Sequence, residues 1–249
     1  MLKIIADDLG LHPSVNDGII FLLKQRKIDG ASLMANGHAF GDALEKLKNV
    51  NEPGIGIHFA LVEEKSISGI NLPRNHKVFF IKYVLGLIKL SDIKKELKAQ
   101  LDKITDAGIR PGFINSHQYL HLLPGIMDIV VKLAVEYKIP SIRIVNESVN
   151  FSGGKLFRKA QLVFLNFLSG MAKKKIEKAG IRHNDFFVGF INAGNISADD
   201  LEYADNLAKK YPDKAVEFGC HPGHENNDLQ NKYKHWGDYN WEKELNLLS

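Results

Sequence analysis

Ile114-Asn115-Ser116-His117-Gln118-Tyr119-Leu120-His121 follows directly on a short apolar run, Gly112-Phe113-Ile114. The run reads as the end of a buried strand, and the polar residues stand where the chain leaves it. If the segment after Ser116 coils, His117 and His121 lie four apart and point the same way, so both reach one small site. Packing alone seldom places two histidines at such a point.

The same pattern recurs along the chain. Leu2–Ala6 is an apolar run that stops at Asp7-Asp8-Leu9-Gly10, Gly30–Ala35 stops at Asn36-Gly37-His38, and Ile55–Leu61 carries His58 inside it. Pro140 introduces Ser141–Val145 with Arg143 within, Asp185–Ile191 follows, and Ala215–Cys220 ends at His221-Pro222-Gly223. Between these runs the apolar spacing is helical: Val15–Lys24, Ala39–Leu47, Val78–Lys89, Ser91–Ala107, Ile126–Tyr137 behind Pro124, Phe157–Ala179 and Ser197–Lys210. Strands alternating with helices call for parallel strands joined by crossovers. An α/β fold is expected, a (β/α) barrel that is distorted or seven-stranded, formed as one domain over residues 1–249. No glycine-rich phosphate loop follows the first strand, which argues against a dinucleotide fold. Barrels of this kind place their chemistry at the C-terminal ends of the strands. Here those ends hold Asp7, Asp8, Asn36, His58, His117, His121, Arg143 and His221.

Composition narrows the field. The 249 residues are 45% hydrophobic and 25% charged with a formal net charge of +4, as in an ordinary globular protein. Lysines are mostly interleaved with acids, as in Asp92-Ile93-Lys94-Lys95-Glu96, and no arginine-rich stripe appears, so nucleic acid is not an expected partner. Cys220 is the single cysteine, which excludes an intramolecular disulfide. Acid at Asp7 and Asp8 comes too early for a signal segment, and Leu162–Leu168 is too short to span a bilayer, so a cytoplasmic protein without a transmembrane segment is expected. Phe164, Phe167 and Leu168 read as core or as a contact face, with core the favoured reading.

Asp8, His58 and His117, or a near relative of that set, would give a carboxylate and two imidazoles converging on one point. Such a set suits zinc or another divalent transition metal with positions left open. A metal lowers the pKa of its bound water, and a neighbouring carboxylate can take the proton as the water attacks a carbonyl. Arg143 or His221 would then balance the oxyanion or protonate the leaving amine. Each residue also has a plainer reading. His58 alone reads as a hydrogen-bonded core residue, one of the paired Asp as a helix cap, His121 as bonded within its turn, and Arg143 as an ion pair with Glu217. His12, His38, His76, His183, His224 and His235 read as surface or structural. Recurrence at successive strand ends favours the site, because packing gives no reason for it.

The chain resembles the YdjC-like carbohydrate deacetylases, which include chitooligosaccharide deacetylase and the hopanoid-biosynthesis deacetylases. The resemblance rests on Ala6-Asp7-Asp8-Leu9-Gly10, Gly56-Ile57-His58-Phe59-Ala60-Leu61, Ser116-His117-Gln118-Tyr119-Leu120-His121-Leu122-Leu123-Pro124 and Cys220-His221-Pro222-Gly223. It implies a distorted barrel like that of the polysaccharide deacetylases and metal-dependent removal of N-acetyl groups from a sugar or glycolipid. It further implies Asp8, His58 and His117 as metal ligands, Asp7 as general base and His221 as general acid. Magnesium is the metal commonly named for the family, while two imidazoles favour zinc or another late first-row ion. Ile5, Leu9 and Tyr119 depart from the family's usual residues, Tyr119 replacing a histidine. Members tend to continue past the final helix, and the end at Ser249 suggests exposed apolar surface or a homodimer. Segments 62–77 and 146–155 are expected to line the substrate cleft. The competing readings are a two-metal phosphoesterase and a glycan-binding barrel without chemistry.

Overall fold

The structure, a computed structural model, describes residues 1–51, 53–149 and 156–249. Its elements alternate as the hydrophobic runs dictate. In order they are β1 (Leu2–Leu9), α1 (Pro13–Lys24), β2 (Gly30–Leu33), α2 (Phe40–Leu47), β3 (Ile55–Phe59), α3 (His76–Val84), α4 (Leu90–Asp106), β4 (Ile114–Ser116), α5 (Pro124–Glu136), α6 (Leu156–Lys178), β5 (Phe186–Val188), α7 (Ala198–Lys210), β6 (Val216–Cys220), α8 (Asn227–Lys232) and α9 (Trp241–Leu248). Turns of 3₁₀ helix cover His117–Leu122 and Lys234–Trp236. Local signals set several starts. Pro13 and Pro124 open α1 and α5, where a missing N–H costs nothing, and a reciprocal Ser197–Asp200 capping box opens α7.

Six parallel strands form one sheet in the order β4-β3-β2-β1-β6-β5. β1 lies inside it, with Leu2 to Ala6 registered against Val216 to Cys220 on one side and Ile5 against Gly30 on the other. Both faces of the sheet are covered, so apolar strand residues such as Leu33, Ile57, Phe59, Phe187 and Phe218 are buried in the core. They pack on Ile19 and Leu22 of α1, Leu97 and Leu101 of α4 and Val130 of α5.

The stretch Ser141–Val145 was expected as a strand, the fifth in chain order, and instead makes isolated bridges, Ile114 with Ile142 and Ser141 with Arg182. Side chains take over the ladder there. Asn184 accepts from Ile144 N–H at 2.8 Å and donates to its carbonyl at 2.8 Å, while Ser169 Oγ accepts from Val145 N–H at 2.9 Å. Among the described residues, six strands and these bridges stand where a barrel that is distorted or seven-stranded was expected. A second correction concerns α6, where Leu168 is buried as expected but Phe164 and Phe167 are exposed. Apolar residues occupy more than one side of that helix, and periodicity does not say which side is covered. No helix among the described residues is long and apolar enough to cross a membrane.

Candidate metal centre

In a regular strand Asp7 and Asp8 would point to opposite faces. β1 avoids this by losing register between Ala6 and Leu9, with Asp8 at φ +67°, a left-handed conformation that costs a non-glycine residue energy. Both carboxylates are buried at the mouth of the sheet. Gly10 completes the turn at φ +95°, its missing Cβ leaving room for the Met34 carbonyl.

Asp8, His58 and His117 come together there. One ligand atom from each lies within 4.8 Å of the others, and all three residues are buried. His58 Nε2 is 3.2 Å and His117 Nδ1 3.1 Å from Asp8 Oδ1. Hydrogen bonding fixes which His58 nitrogen carries the proton. Asn115 Nδ2 and Ser32 Oγ both donate to Asp7 Oδ1, at 2.8 and 2.7 Å. Their oxygens therefore face His58 Nδ1, at 2.7 and 3.1 Å for Asn115 and Ser32, as acceptors, so Nδ1 bears the hydrogen. With that tautomer, Nε2 is the His58 nitrogen turned toward the Asp8 carboxylate, placed to share a cation with it.

His117 is held in the same sense. Its Nε2 is 3.0 Å from Glu63 Oε2, which also accepts from Trp236 Nε1 at 2.8 Å. Burial pulls the imidazolium of His117 down, but Asp8 and Glu63 outweigh it and raise the pKa to about 10. Burial pushes Asp8 up, while His117 and His58 bring it well below the ordinary carboxylate range. Positive charge is therefore stabilised at this point, and a divalent ion supplies it with three donors suited to the task. The residues fit a metal.

Beneath the cluster Arg143 is buried against two acids. Its guanidinium donates to both oxygens of Asp7, Nη2 to Oδ1 at 3.0 Å, and its Nε donates to Glu217. The anticipated Arg143–Glu217 pair is present, and Arg143 spends its donors on Asp7 and Glu217. Burial raises Asp7, but Arg143 and His58 outweigh it and hold its pKa at about 2. His221 approaches from the end of β6, its Nδ1 3.7 Å from Glu244 Oε2 while its backbone N–H donates to that oxygen at 2.6 Å. Burial lowers His221, yet Glu244, Asp8 and Asp7 carry its pKa above the ordinary value.

His121 does not join the site. Gln118 and Tyr119 take φ +55°, which breaks the regular coil that would have aligned the two histidines. His121 is instead pinned by Ser116 Oγ at 2.6 Å and the Arg143 carbonyl at 2.9 Å, and burial lowers its pKa to about 4. Asn36 also stays outside, donating to the Ala60 carbonyl at 3.1 Å.

The profile of the YdjC-like proteins matches residues 1–249. The chain belongs to the YdjC-like family. A carbohydrate deacetylase of Geobacillus stearothermophilus is 33% identical over 137 residues, 54% of this chain and 56% of the relative, so the match spans little more than half of that protein. A carbohydrate deacetylase of Xenopus laevis is 27% identical over 257 residues, 90% of this chain and 81% of its own. Chitooligosaccharide deacetylase of Salmonella schwarzengrund (strain CVM19633) is 29% identical over 154 residues, 60% of this chain and 61% of its own. Among solved structures, an Enterococcus faecalis V583 protein named for cellobiose-phosphate cleavage superposes with a TM-score of 0.71 at 22% identity, covering 100% of this chain and 90% of that one, which establishes a shared fold.

Within this YdjC-like site, several supporting residues escaped the sequence reading. Ser32 and Asn115 gave the signal that singled out His58, a polar residue inside an apolar run. Glu63 sits just past β3 at φ +69°, inside the segment expected to line the cleft. That segment is tied down by Glu96, which accepts from the N–H groups of Ile67 and Ser68 at 3.0 and 2.8 Å. Of the second expected lining segment, 150–155 lies outside the described residues. Tyr119 stands edge-on to Phe187 and Phe190 at 6.0 and 5.5 Å.

Proposed function

We propose that this YdjC-like protein hydrolyses the N-acetyl group of an acetylated sugar or glycoconjugate, with one divalent metal held by Asp8, His58 and His117. The observation that carries this reading is the buried convergence of those three side chains beside a second, ionised carboxylate, Asp7, in a family whose named relatives are carbohydrate deacetylases. When bound, the cation supplies Lewis-acid activation of water and of the amide carbonyl. Asp7 takes the proton as water adds to the acetyl carbon. A carboxylate with a pKa of about 2 is a weak base alone, so its part depends on a water whose acidity has been raised toward it. Arg143 and Asn115 fix both the charge and the direction of Asp7, which makes Arg143 a positioning residue rather than the oxyanion partner first considered. Collapse of the tetrahedral adduct breaks the C–N bond, and His221, whose proton Glu244 helps to retain, protonates the departing amine to leave acetate and a free amino sugar.

One cluster of metal-ligating type is found among the described residues, which favours a one-metal hydrolase over a two-metal phosphoesterase. Two imidazoles and one carboxylate favour zinc or another late first-row ion over magnesium. Elemental analysis with acetate release from a panel of N-acetylated sugars tests the reading. One metal per chain, lost together with acetate release in His117→Ala, is the expected result. A folded protein that binds no divalent ion and releases no acetate would leave the glycan-binding reading in its place.

A further inference from the structure

Helix α3 departs from the rule that governs the rest of the fold. His76–Val84 is largely apolar on every side, a pattern that belongs in a core or a lipid environment, yet Phe79 is its one buried residue. Its last residue and the turn beyond it are alike: Val84, Leu85 and Leu87 are 66%, 65% and 67% exposed. The face continues onto α6 through an edge-on contact of Phe80 with Phe164, ring centroids 5.9 Å apart. Past that contact Phe157, Val163, Phe167 and Met171 are also exposed. Single exposed apolar residues need no explanation, but a face shared by two helices does.

Its charges have one sign. From Lys65 to Ser91 the sequence carries Lys65, Arg74, Lys77, Lys82 and Lys89 and no acid. From Leu156 to Ile176 it carries Arg158, Lys159, Lys173, Lys174 and Lys175, again with no acid. Among the described residues, the ion pairs of α6 lie at its far end, where Lys175 pairs with Asp128 and Lys173 lies 3.8 Å from Glu177. By contrast, α4 mixes Asp92, Glu96, Asp102 and Asp106 with its lysines.

We infer that this face docks on an anionic lipid surface, its apolar side chains entering the interfacial layer and its lysines reaching the headgroup phosphates. Apolar anchors with a cationic rim are what such a surface binds, since lysine stems extend over apolar area while their ammonium groups stay wet. A second copy of the chain fits less well. A two-fold contact would set like-charged rims together with no acid on either to meet the lysines. The face also lies along the chain from the metal centre, because α3 follows directly on the segment that carries Glu63, the partner of His117. Docking would bring the mouth of the site to the lipid boundary.

Sedimentation with vesicles of phosphatidylcholine alone and of phosphatidylcholine mixed with phosphatidylglycerol tests the inference without reference to catalysis. The protein should pellet with the mixed vesicles, weakly with phosphatidylcholine alone, and less as salt is raised. Leu85→Ser/Leu87→Ser/Phe167→Ser should weaken that association by on the order of a hundredfold, with circular dichroism and metal content unchanged. Lys82→Glu/Lys89→Glu should abolish the preference for phosphatidylglycerol. Failure to pellet with either vesicle would overturn the inference, as would wild-type binding by the triple serine variant. So would a dimer in sedimentation velocity that the triple variant converts to monomer without any vesicle binding, since the face would then be a contact between copies.

Discussion

The mouth of the sheet and the face of α3 and α6 invert the usual distribution of residues in opposite directions. At the mouth, Asp7, Asp8, His58, His117 and Arg143 are buried. On the helical face, Ile81, Val84, Leu87 and Phe167 are exposed. Either arrangement costs free energy that folding alone would not spend, so each points to an interaction outside the chain. The difference lies in how each is held. Every buried acid and base at the mouth is braced by neighbours on other strands, whereas the helical face touches little of the protein. Substitutions should therefore act on chemistry and metal at the mouth, and leave stability nearly untouched on the face.

The largest effect is expected from the ligands themselves. His117→Ala removes one of three donors and leaves Asp8 and Glu63 without their common partner. Metal content should fall to background and acetate release with it, read by elemental analysis and acetate assay. Retention of a full equivalent of metal would separate His117 from the centre. Asp7→Asn asks a narrower question, because the amide oxygen can still accept from Arg143. Metal should remain while turnover drops by roughly 10²–10⁴-fold. Turnover unchanged from wild type would take Asp7 out of the proton transfer.

Next in size comes Glu63→Gln. Gln keeps the shape of Glu63 but loses the charge that orients His117 Nε2, and partners of this kind are worth roughly 10–100-fold in metal affinity. Competition with a chromophoric chelator should show a loss of that order while the fold is retained. Equal affinity in the variant would reduce Glu63 to a strut for Trp236, to which it is also bonded at 2.8 Å.

How much of this the sequence disclosed follows from the range of each interaction. Asp8, His58 and His117 were legible because each interrupts or ends an apolar run, and the alternation of runs with helical spacing placed those ends on one side of a parallel sheet. Glu63 and Trp236 were not, because they meet across 173 residues of chain and nothing local marks the pair. His121 was misplaced for a different reason. Two consecutive positive φ angles at Gln118 and Tyr119, neither of them glycine, turn it from its expected direction. The stretch at Arg143 read as a strand since its residues are β-formers, while Asn184 and Ser169, which take its ladder groups, are distant in sequence. Phe164 and Phe167 show the limit of composition: an apolar side chain announces a need for cover but not what provides it.

The smallest effect sharpens the comparison most, because it sets the two kinds of position side by side in one helix. Phe79 and Ile81 are two residues apart in α3, the first fully buried and the second 57% exposed. Phe79 stacks on Tyr83 with ring centroids 6.2 Å apart. Phe79→Ala should cost ~3–5 kcal/mol of stability, since it empties a packed site. Ile81→Gln removes a larger aliphatic surface from water contact than it adds polar contact within the chain, and should stay within about 0.5 kcal/mol of wild type in urea denaturation. A substantial loss at Ile81 would mean that the face is already covered in solution, and the contrast between the two regions would have to be redrawn as one between two kinds of buried surface.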